Sequence, residues 1–164
     1  MKFMNCLLFV LLLAGLPLKA EENCNHDDKT FRCVKLLSVY DGDTITIEIP
    51  NVHPLFGKKI GVRVRGIDTP EISTKDKCEK DAGRIARNLA ESLLKTAKRI
   101  DLENIGRDKY FRVLADVRVD GKLLSEVMLK NNLAYTYDGG TKQHLNWCDY
   151  LKKNRVPASD GGKK

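Results

Sequence analysis

Residues 34–49 read VKLLSVYDGDTITIEI, and this stretch decides the fold. Its two halves, 34–40 and 44–49, alternate apolar with polar positions and are rich in β-branched side chains, which is typical of half-buried strands. Between them, Asp41, Gly42 and Asp43 form the kind of short sequence found in tight hairpin turns. We therefore expect antiparallel β-structure at the start of the folded domain.

The same periodicity extends through the rest of the chain. A loop containing Pro54 and Gly57 is predicted over residues 51–59, because both residue types interrupt regular structure. Further strands are predicted over 60–67, 100–103 and 113–119, and helices over 79–98, over about 124–131 and within 141–153. A turn at Asp120 and Gly121 leads into a further short segment. Together these elements indicate a mainly β, α+β domain over residues 34–153.

The first part of the chain, 1–20, has the pattern of a secretion signal. Lys2 precedes an apolar run, and small and polar residues follow up to Ala20. A membrane anchor is the alternative, but the apolar stretch over 6–18 is broken by Gly15 and Pro17. It is also shorter than the roughly 20 residues that a spanning helix needs. We expect cleavage after Ala20, export to the periplasm or the medium, and no attachment to a membrane afterwards.

The chain after position 20 is long enough for one domain with a hydrophobic core. Residues 21–33 are polar and predict an irregular N-terminal arm, and residues 154–164 predict a polar C-terminal tail. No feature of the sequence indicates an oligomer, so we expect a monomer.

Four cysteines remain once Cys6 leaves with the signal, and an even number in an exported chain favours disulfides. Four cysteines allow three pairings. We favour Cys24 with Cys33 and Cys78 with Cys148, because the first two are close in sequence. A zinc site is the alternative, but no pair has the spacing of roughly two to four residues typical of structural zinc, and the three histidines are scattered.

The chain is basic, with a formal charge of +7. Removing Lys2 and Lys19 from its 29 basic residues leaves 27 against 22 acidic ones. This charge fits attraction to a polyanion such as nucleic acid. Charge alone does not identify the partner, since many small exported proteins are basic.

Acidic and basic residues gather where the predicted strands end. Three clusters stand out: DGDT at 41–44, RVRGIDTPE at 63–71 and DKYFR at 108–112. Singly, each is explained by turn chemistry, a helix start or a solvated strand residue. Together they combine carboxylate oxygens, which calcium prefers, with arginines, which grip two phosphate oxygens at once. That combination is what phosphodiester cleavage needs.

With these three clusters in this order and spacing, the sequence resembles the thermonuclease (staphylococcal nuclease-like) family over roughly residues 35–151. The resemblance implies a five-stranded OB-type β-barrel with three helices, in agreement with the periodicity. It also implies one Ca²⁺ site, formed by the carboxylates of Asp43 and Asp68 and the backbone carbonyl of Thr69.

The resemblance further implies catalytic roles for Arg63, Glu71 and Arg112. Glu71 would orient or deprotonate the attacking water, and the two arginines would stabilise the charge of the transition state. Arg65 would share a face with Arg63 in a regular strand, but the arginine five positions before Asp68 is the family's position. The implied reaction is endonucleolytic hydrolysis of DNA and/or RNA that leaves 3′-phosphate ends.

Four further residues are candidates for contacting a base or a phosphate at the edge of the site, with core or rim packing as the alternative: Lys109, Tyr110, Tyr135 and Tyr137. Family members commonly have glycine where this chain has Phe111, so we expect a different backbone at this turn, with a consequence for the aim of Arg112.

Two other functions are compatible with parts of the sequence. A catalytically inactive OB-type module that only binds nucleic acid would have no need for Asp43, Asp68 and Glu71 beside a polyanion. A structural or inhibitory domain held by disulfides would account for the cysteines but not for the arginines. The charge set therefore favours the enzyme.

Overall fold

A computed structural model describes residues 23–153. The predicted signal peptide and the predicted tail at 154–164 lie outside the described residues. The strands are β1 Lys35–Val39, β2 Thr44–Glu48, β3 Ile60–Val64, β4 Ile67–Asp68, β5 Ile100–Arg107, β6 Val113–Val119, β7 Lys122–Leu123 and β8 Tyr135–Thr136. The helices are α1 Pro54–Gly57, α2 Lys77–Thr96, α3 Leu124–Lys130 and α4 Trp147–Lys153.

The main sheet has the order β1-β2-β3-β6-β5, with β7 added to β6. Strands β3 and β6 run parallel, and the other neighbours in this sheet are antiparallel. A separate two-stranded ribbon pairs β4 with β8. This curled, mainly β arrangement confirms the predicted α+β fold of the OB type, with five strands along the main path.

Two details differ from the sequence prediction. Residues 51–59, predicted as a loop, contain the one-turn helix α1, so the described chain has four helices rather than three. His53 caps it by accepting a hydrogen bond from Leu55 N to Nδ1 at 3.2 Å. Pro54 stands at the first helical position, where its missing N–H costs nothing. None of the four described helices is long and apolar enough to cross a membrane.

The second difference is a break in the predicted strand 60–67. The structure divides it into β3 and β4, because Gly66 turns the chain with a φ of 80°. Glycine adopts this conformation without strain. The short strand β4 leaves the main sheet and pairs with β8 instead. Asp68 is thereby carried away from the sheet edge and placed beside Tyr135.

Helix α2 covers the sheet with small residues. Ala86 and Ala90 are fully buried and pack into the same core as Ile45 and Val62 of the sheet. A Cβ built on Gly83 would lie 2.7 Å from the carbonyl oxygen of Pro70. The absence of a side chain there lets the helix pack directly on the backbone that leads to Glu71. The helix therefore fixes the loop that follows β4.

Both favoured disulfides are present in the structure. Cys24 bonds to Cys33 within the N-terminal arm, and Cys78 bonds to Cys148, joining α2 to α4. The Cα atoms are 5.4 Å apart in each pair, within the usual range for a disulfide. The arm also pairs with the sheet, because Phe31 exchanges backbone hydrogen bonds with Leu102 at 2.8 and 2.9 Å. Residues 24–33 are thus held against the barrel.

Candidate active site

The three charged clusters of the sequence meet at one cavity of about 950 Å³. Its wall contains most of the predicted site residues: Asp43, Arg63, Asp68, Glu71, Lys109, Tyr110, Arg112 and Tyr137. Thr69 and Tyr135 do not line the cavity, but each is hydrogen-bonded to a carboxylate that does. All the residues predicted from the motifs are therefore brought together.

Asp43 lies in the turn between β1 and β2 and is almost fully buried, with 4% of its surface exposed. Its Oδ2 atom accepts hydrogen bonds from both the backbone N and the Oγ1 of Thr69, each at 2.8 Å. The backbone of the turn packs closely on its neighbours, since a Cβ on Gly42 would lie 2.9 Å from Met128 Cε and from Thr69 Cγ2. Close packing thus fixes the direction of the Asp43 carboxylate.

Asp68 ends β4 and is equally buried. Its Oδ2 accepts a hydrogen bond from the Tyr135 hydroxyl at 2.7 Å, an arrangement that follows from the pairing of these two residues between β4 and β8. Burial and this hydrogen bond raise the pKa of Tyr135 to about 12, so the hydroxyl keeps its proton and remains a donor. The structure places Tyr135 behind Asp68 rather than at the rim that a substrate would touch.

Arg63 joins the two carboxylates. It extends from β3, is 8% exposed, and forms ion pairs from Nη1 to Asp43 Oδ1 at 2.6 Å and from Nη2 to Asp68 Oδ1 at 2.8 Å. A planar guanidinium can satisfy two acceptors in this way, which an ammonium cannot do with the same geometry. Both aspartates therefore converge on one cationic group.

The cavity holds more negative charge than Arg63 balances. Asp41 is also buried, at 6% exposure, and orients the turn by accepting the backbone N–H of Asp43 at 3.1 Å. Burial raises the pKa of Asp43 to about 7; Arg63 acts in the opposite direction, and repulsion from Asp41 and Asp68 adds to the rise. Such a site favours an additional cation, because a buried like-charged pair is otherwise costly.

Glu71 faces the cavity with its side chain 41% exposed. Its Oε1 atom accepts a hydrogen bond from Lys142 Nζ at 2.7 Å, and the same ammonium lies 3.0 Å from Asp68 Oδ1. Lys142 was missed by sequence reasoning. It lies in a loop with no regular pattern, and only the fold brings it to carboxylates about 70 positions earlier.

Arg112 enters the cavity from the turn between β5 and β6. Its Nε donates to Asp108 Oδ2 at 2.7 Å, and its Nη1 lies 3.4 Å from Thr44 Oγ1. Phe111 has a φ of 63° and leaves 80% of its surface exposed. This is the left-handed backbone that favours glycine. Phe111 thus adopts a backbone conformation that favours glycine, and Asp108 holds the arginine.

Two tyrosines lie at the rim. The Tyr110 ring is 67% exposed, with Lys109 Nζ at 5.4 Å and Arg112 Cζ at 5.5 Å from its centroid. Tyr137 donates its hydroxyl proton to Gly140 O at 2.7 Å. Tyr110 is therefore an exposed ring with two cations beside it, and its contact with a base stays a prediction.

The residues fit a hard divalent cation. The expected ligands, Asp43, Asp68 and the Thr69 carbonyl, are all oxygen donors, which calcium prefers. Within residues 23–153, no three or more His, Cys, Asp or Glu side chains form a metal-holding group. The expected set falls below that number, since it contains only two such side chains. The two carboxylates lie close enough together to contact one cationic group, since Arg63 reaches both.

Fold and site together define an OB-type barrel with an acidic, arginine-rich cavity, and comparison with known proteins agrees. The model of the family described as "Staphylococcal nuclease homologue" matches residues 61–155. The chain belongs to this family of nucleases.

Individual relatives have corresponding names. The chain is 40% identical over 130 residues to "Endonuclease YncB" of Bacillus subtilis (strain 168), covering 76% of this chain and 58% of that protein. It is 36% identical over 131 residues to "SPbeta prophage-derived endonuclease YokF" of the same organism, covering 76% and 40%. It is 28% identical over 147 residues to "Thermonuclease" of Staphylococcus hyicus, covering 84% and 82%. The chain therefore spans less than two thirds of either Bacillus protein.

Proposed function

We propose that this protein is an exported, calcium-dependent endonuclease that hydrolyses the phosphodiester bonds of DNA or RNA and leaves 3′-phosphate ends. The observation that carries the proposal is the convergence of three carboxylates and two arginines on one cavity of the barrel: Asp43, Asp68, Glu71, Arg63 and Arg112. Membership of a nuclease family supports it, as does similarity to proteins named as an endonuclease and a thermonuclease.

Asp43, Asp68 and the Thr69 carbonyl would hold the cation. When bound there, a divalent ion supplies positive charge for a phosphate oxygen and favours ionisation of a nearby water. The chain prepares this position by removing two carboxylates from solvent and fixing each with a neutral donor, Thr69 for Asp43 and Tyr135 for Asp68. Hydrogen bonds of this kind favour the ionised form of a carboxylate and fix its direction.

Glu71 is the residue that we propose as the general base. Among the three carboxylates of the proposed site it is the exposed one, and it faces the same cavity as the buried pair. It would orient the attacking water and accept its proton, a contribution of about 10²–10⁴-fold in rate. Asp43 and Asp68 are assigned to the cation instead, because both are buried and both face Arg63.

Arg63 and Arg112 would bind the phosphate and stabilise the charge that develops on it. Both side chains line the cavity, and they come from separate elements, β3 and the turn between β5 and β6. Guanidinium groups remain charged at any accessible pH and match the geometry of phosphate oxygens. Positioned donors of this type contribute about 10²–10³-fold each.

The test is digestion of plasmid DNA and of RNA by the mature protein, with calcium and with excess chelator. Glu71→Gln removes the base without changing the size of the side chain. The exposed Glu126 on α3, which does not line the cavity, provides the matched control Glu126→Gln. We expect calcium-dependent cutting that collapses only in Glu71→Gln. Intact nucleic acid in every lane, with a gel shift, would instead favour the inactive binding module.

Export is supported by the two disulfides, since such bonds persist in oxidising compartments. We expect the protein in the periplasm or the medium, with Glu21 as its first residue. Fractionation followed by mass spectrometry of the intact chain measures both. A full-length chain in the reducing cytoplasm would contradict this part of the proposal.

A further inference from the structure

Lys142 contacts two carboxylates to which the proposed mechanism gives different roles. Its Nζ lies 3.0 Å from Asp68 Oδ1, on the proposed metal ligand, and 2.7 Å from Glu71 Oε1, on the proposed base. A single ammonium thus bridges the cation site and the residue that would activate water. It lies at the wall of the cavity and not at a distant surface.

The backbone around Lys142 is anchored, while its side chain is not confined. Gln143 N donates to the Tyr135 hydroxyl at 3.2 Å, and Gly140 N donates to Asp138 Oδ1 at 3.0 Å. The Lys142 side chain is 48% exposed. A lysine ends in a compact charge on a flexible four-carbon stem. The ammonium can therefore leave the carboxylates for solvent without any change in the fold.

The charges make Lys142 the replaceable cation of the site. Among residues 23–153, two cationic side chains contact the carboxylates of this end of the cavity, but Arg63 is 8% exposed and held by both Asp43 and Asp68. A lysine ammonium in contact with two carboxylates carries its charge at neutral pH.

A divalent ion at Asp68 and the Lys142 ammonium seek the same carboxylate and repel each other at contact distance. We propose that Lys142 is an internal competitor of the divalent cation. Its ammonium occupies Asp68 and Glu71 in the metal-free protein and is displaced when the ion binds, which frees Glu71 to act as a base. This inference rests on the metal site of the proposed function.

Because the ion binds only while Lys142 is away from the carboxylates, its apparent affinity is the intrinsic affinity multiplied by the fraction of time that the site is open. If the Lys142-bound arrangement is populated about nine-tenths of the time, the apparent dissociation constant is raised about tenfold. Removing the ammonium abolishes this competition. We therefore expect Lys142→Met to bind Ca²⁺ about tenfold more tightly than the unaltered protein.

Calorimetric titration of the nucleic-acid-free protein with Ca²⁺ measures this without any enzymatic assay. The matched control is Lys109→Met, which removes the same charge from the same cavity wall, at a residue whose ammonium lies over the Tyr110 ring. Tighter binding in Lys142→Met alone supports the inference. Equal tightening in both variants reduces the effect to net charge and overturns it.

The remaining outcomes separate the inference from the proposed function. An unchanged or weaker affinity in Lys142→Met overturns the competition and leaves the proposed metal site standing. Absence of Ca²⁺ binding in the unaltered protein and in both variants overturns the metal site and the inference together. Binding in Lys142→Met alone supports both.

Displacement can also be measured in the unaltered protein, so it does not depend on the folding of a variant. An amine-reactive label followed by peptide mass spectrometry reports the accessibility of the Lys142 ammonium. We expect weaker labelling in chelator than with Ca²⁺, while Lys152, with a side chain 73% exposed, is labelled equally in both. Equal labelling of Lys142 in the two conditions overturns the displacement.

Discussion

Arg63 and Arg112 have the same predicted role but differ in how the protein holds them. Arg63 is buried on β3 and bound by the carboxylates of two different elements, whereas Arg112 has a side chain 31% exposed and is bound mainly by Asp108 of its own turn. The first is a structural part of the barrel as well as of the cavity. The second belongs to the surface, so its contribution to activity is separable from stability.

The largest expected effect is on stability, from Arg63→Met. It leaves Asp43 and Asp68 buried without their common cation. Removing one partner of a buried ion pair lowers the unfolding free energy by about 3–5 kcal/mol. Urea unfolding in chelator, followed by circular dichroism, measures the loss of unfolding free energy. A loss below about 1 kcal/mol, the value of an exposed pair, would mean that solvent reaches the two aspartates and would remove the contrast with Arg112.

Arg112→Met should separate the two properties. Its pair with Asp108 is partly exposed. We therefore expect its unfolding free energy to change by less than about 1 kcal/mol. We expect cleavage of nucleic acid to slow by about 10²–10³-fold, the usual cost of losing a positioned donor to the transition state. If Arg112→Met instead unfolds readily but retains its cleavage rate, Arg112 contributes to stability and not to cleavage.

Sequence periodicity predicted most of the barrel because the alternating strands and the amphipathic α2 bury one face each. It missed α1, whose capping by His53 lay within a segment dominated by Pro54 and Gly57. It also continued one strand through Gly66, because a positive φ is not visible in an alternating pattern. Local patterns thus located the elements, and the deviations occur where single residues redirect the chain.

The candidate site was predictable as far as motifs reach. Asp43, Arg63, Asp68 and Glu71 meet at one cavity, as the resemblance implied, although their roles stay predictions. Lys142 was not predictable, since its contacts span 71 positions of sequence and depend on the course of a loop. The position of Tyr135 behind Asp68 depends on the pairing of two strands of two residues each, which are too short to show periodicity.

Tyrosines 135 and 137 extend the comparison at a smaller scale. Tyr135→Phe removes the donor to the buried carboxylate of Asp68. An unsatisfied buried group costs about 1–3 kcal/mol. Tyr137→Phe removes only a hydrogen bond to the exposed Gly140. For this second variant we expect a loss of less than about 1 kcal/mol. Urea unfolding of the two variants side by side measures the difference, and equal losses would mean that water replaces the Tyr135 hydroxyl at Asp68.

The smallest effect is expected at a third arginine, which does not line the cavity. Arg118 binds Glu103 with two contacts, at 2.7 and 2.8 Å, but both side chains are about one third exposed, at 34% and 32%. Good geometry with exposure contributes less than about 1 kcal/mol. Glu103→Gln should therefore lower the unfolding free energy slightly at neutral pH, well below the loss in Arg63→Met.

The pH dependence of this small effect has a definite sign. Hydrogen bonding to Arg118 lowers the pKa of Glu103 below its ordinary value of 4.5, with burial opposing. A carboxyl with a lowered pKa stabilises the folded state above its unfolded pKa, and the contribution disappears as the pH falls through the folded pKa. The difference between Glu103→Gln and the unaltered protein should thus be present at neutral pH and vanish below the folded pKa, as followed by urea unfolding across that range. A difference that persists below the folded pKa would mean that the loss in Glu103→Gln comes from packing of the side chain. The order of the effects at Arg63, Arg112 and Arg118 would then reflect side-chain packing rather than charge.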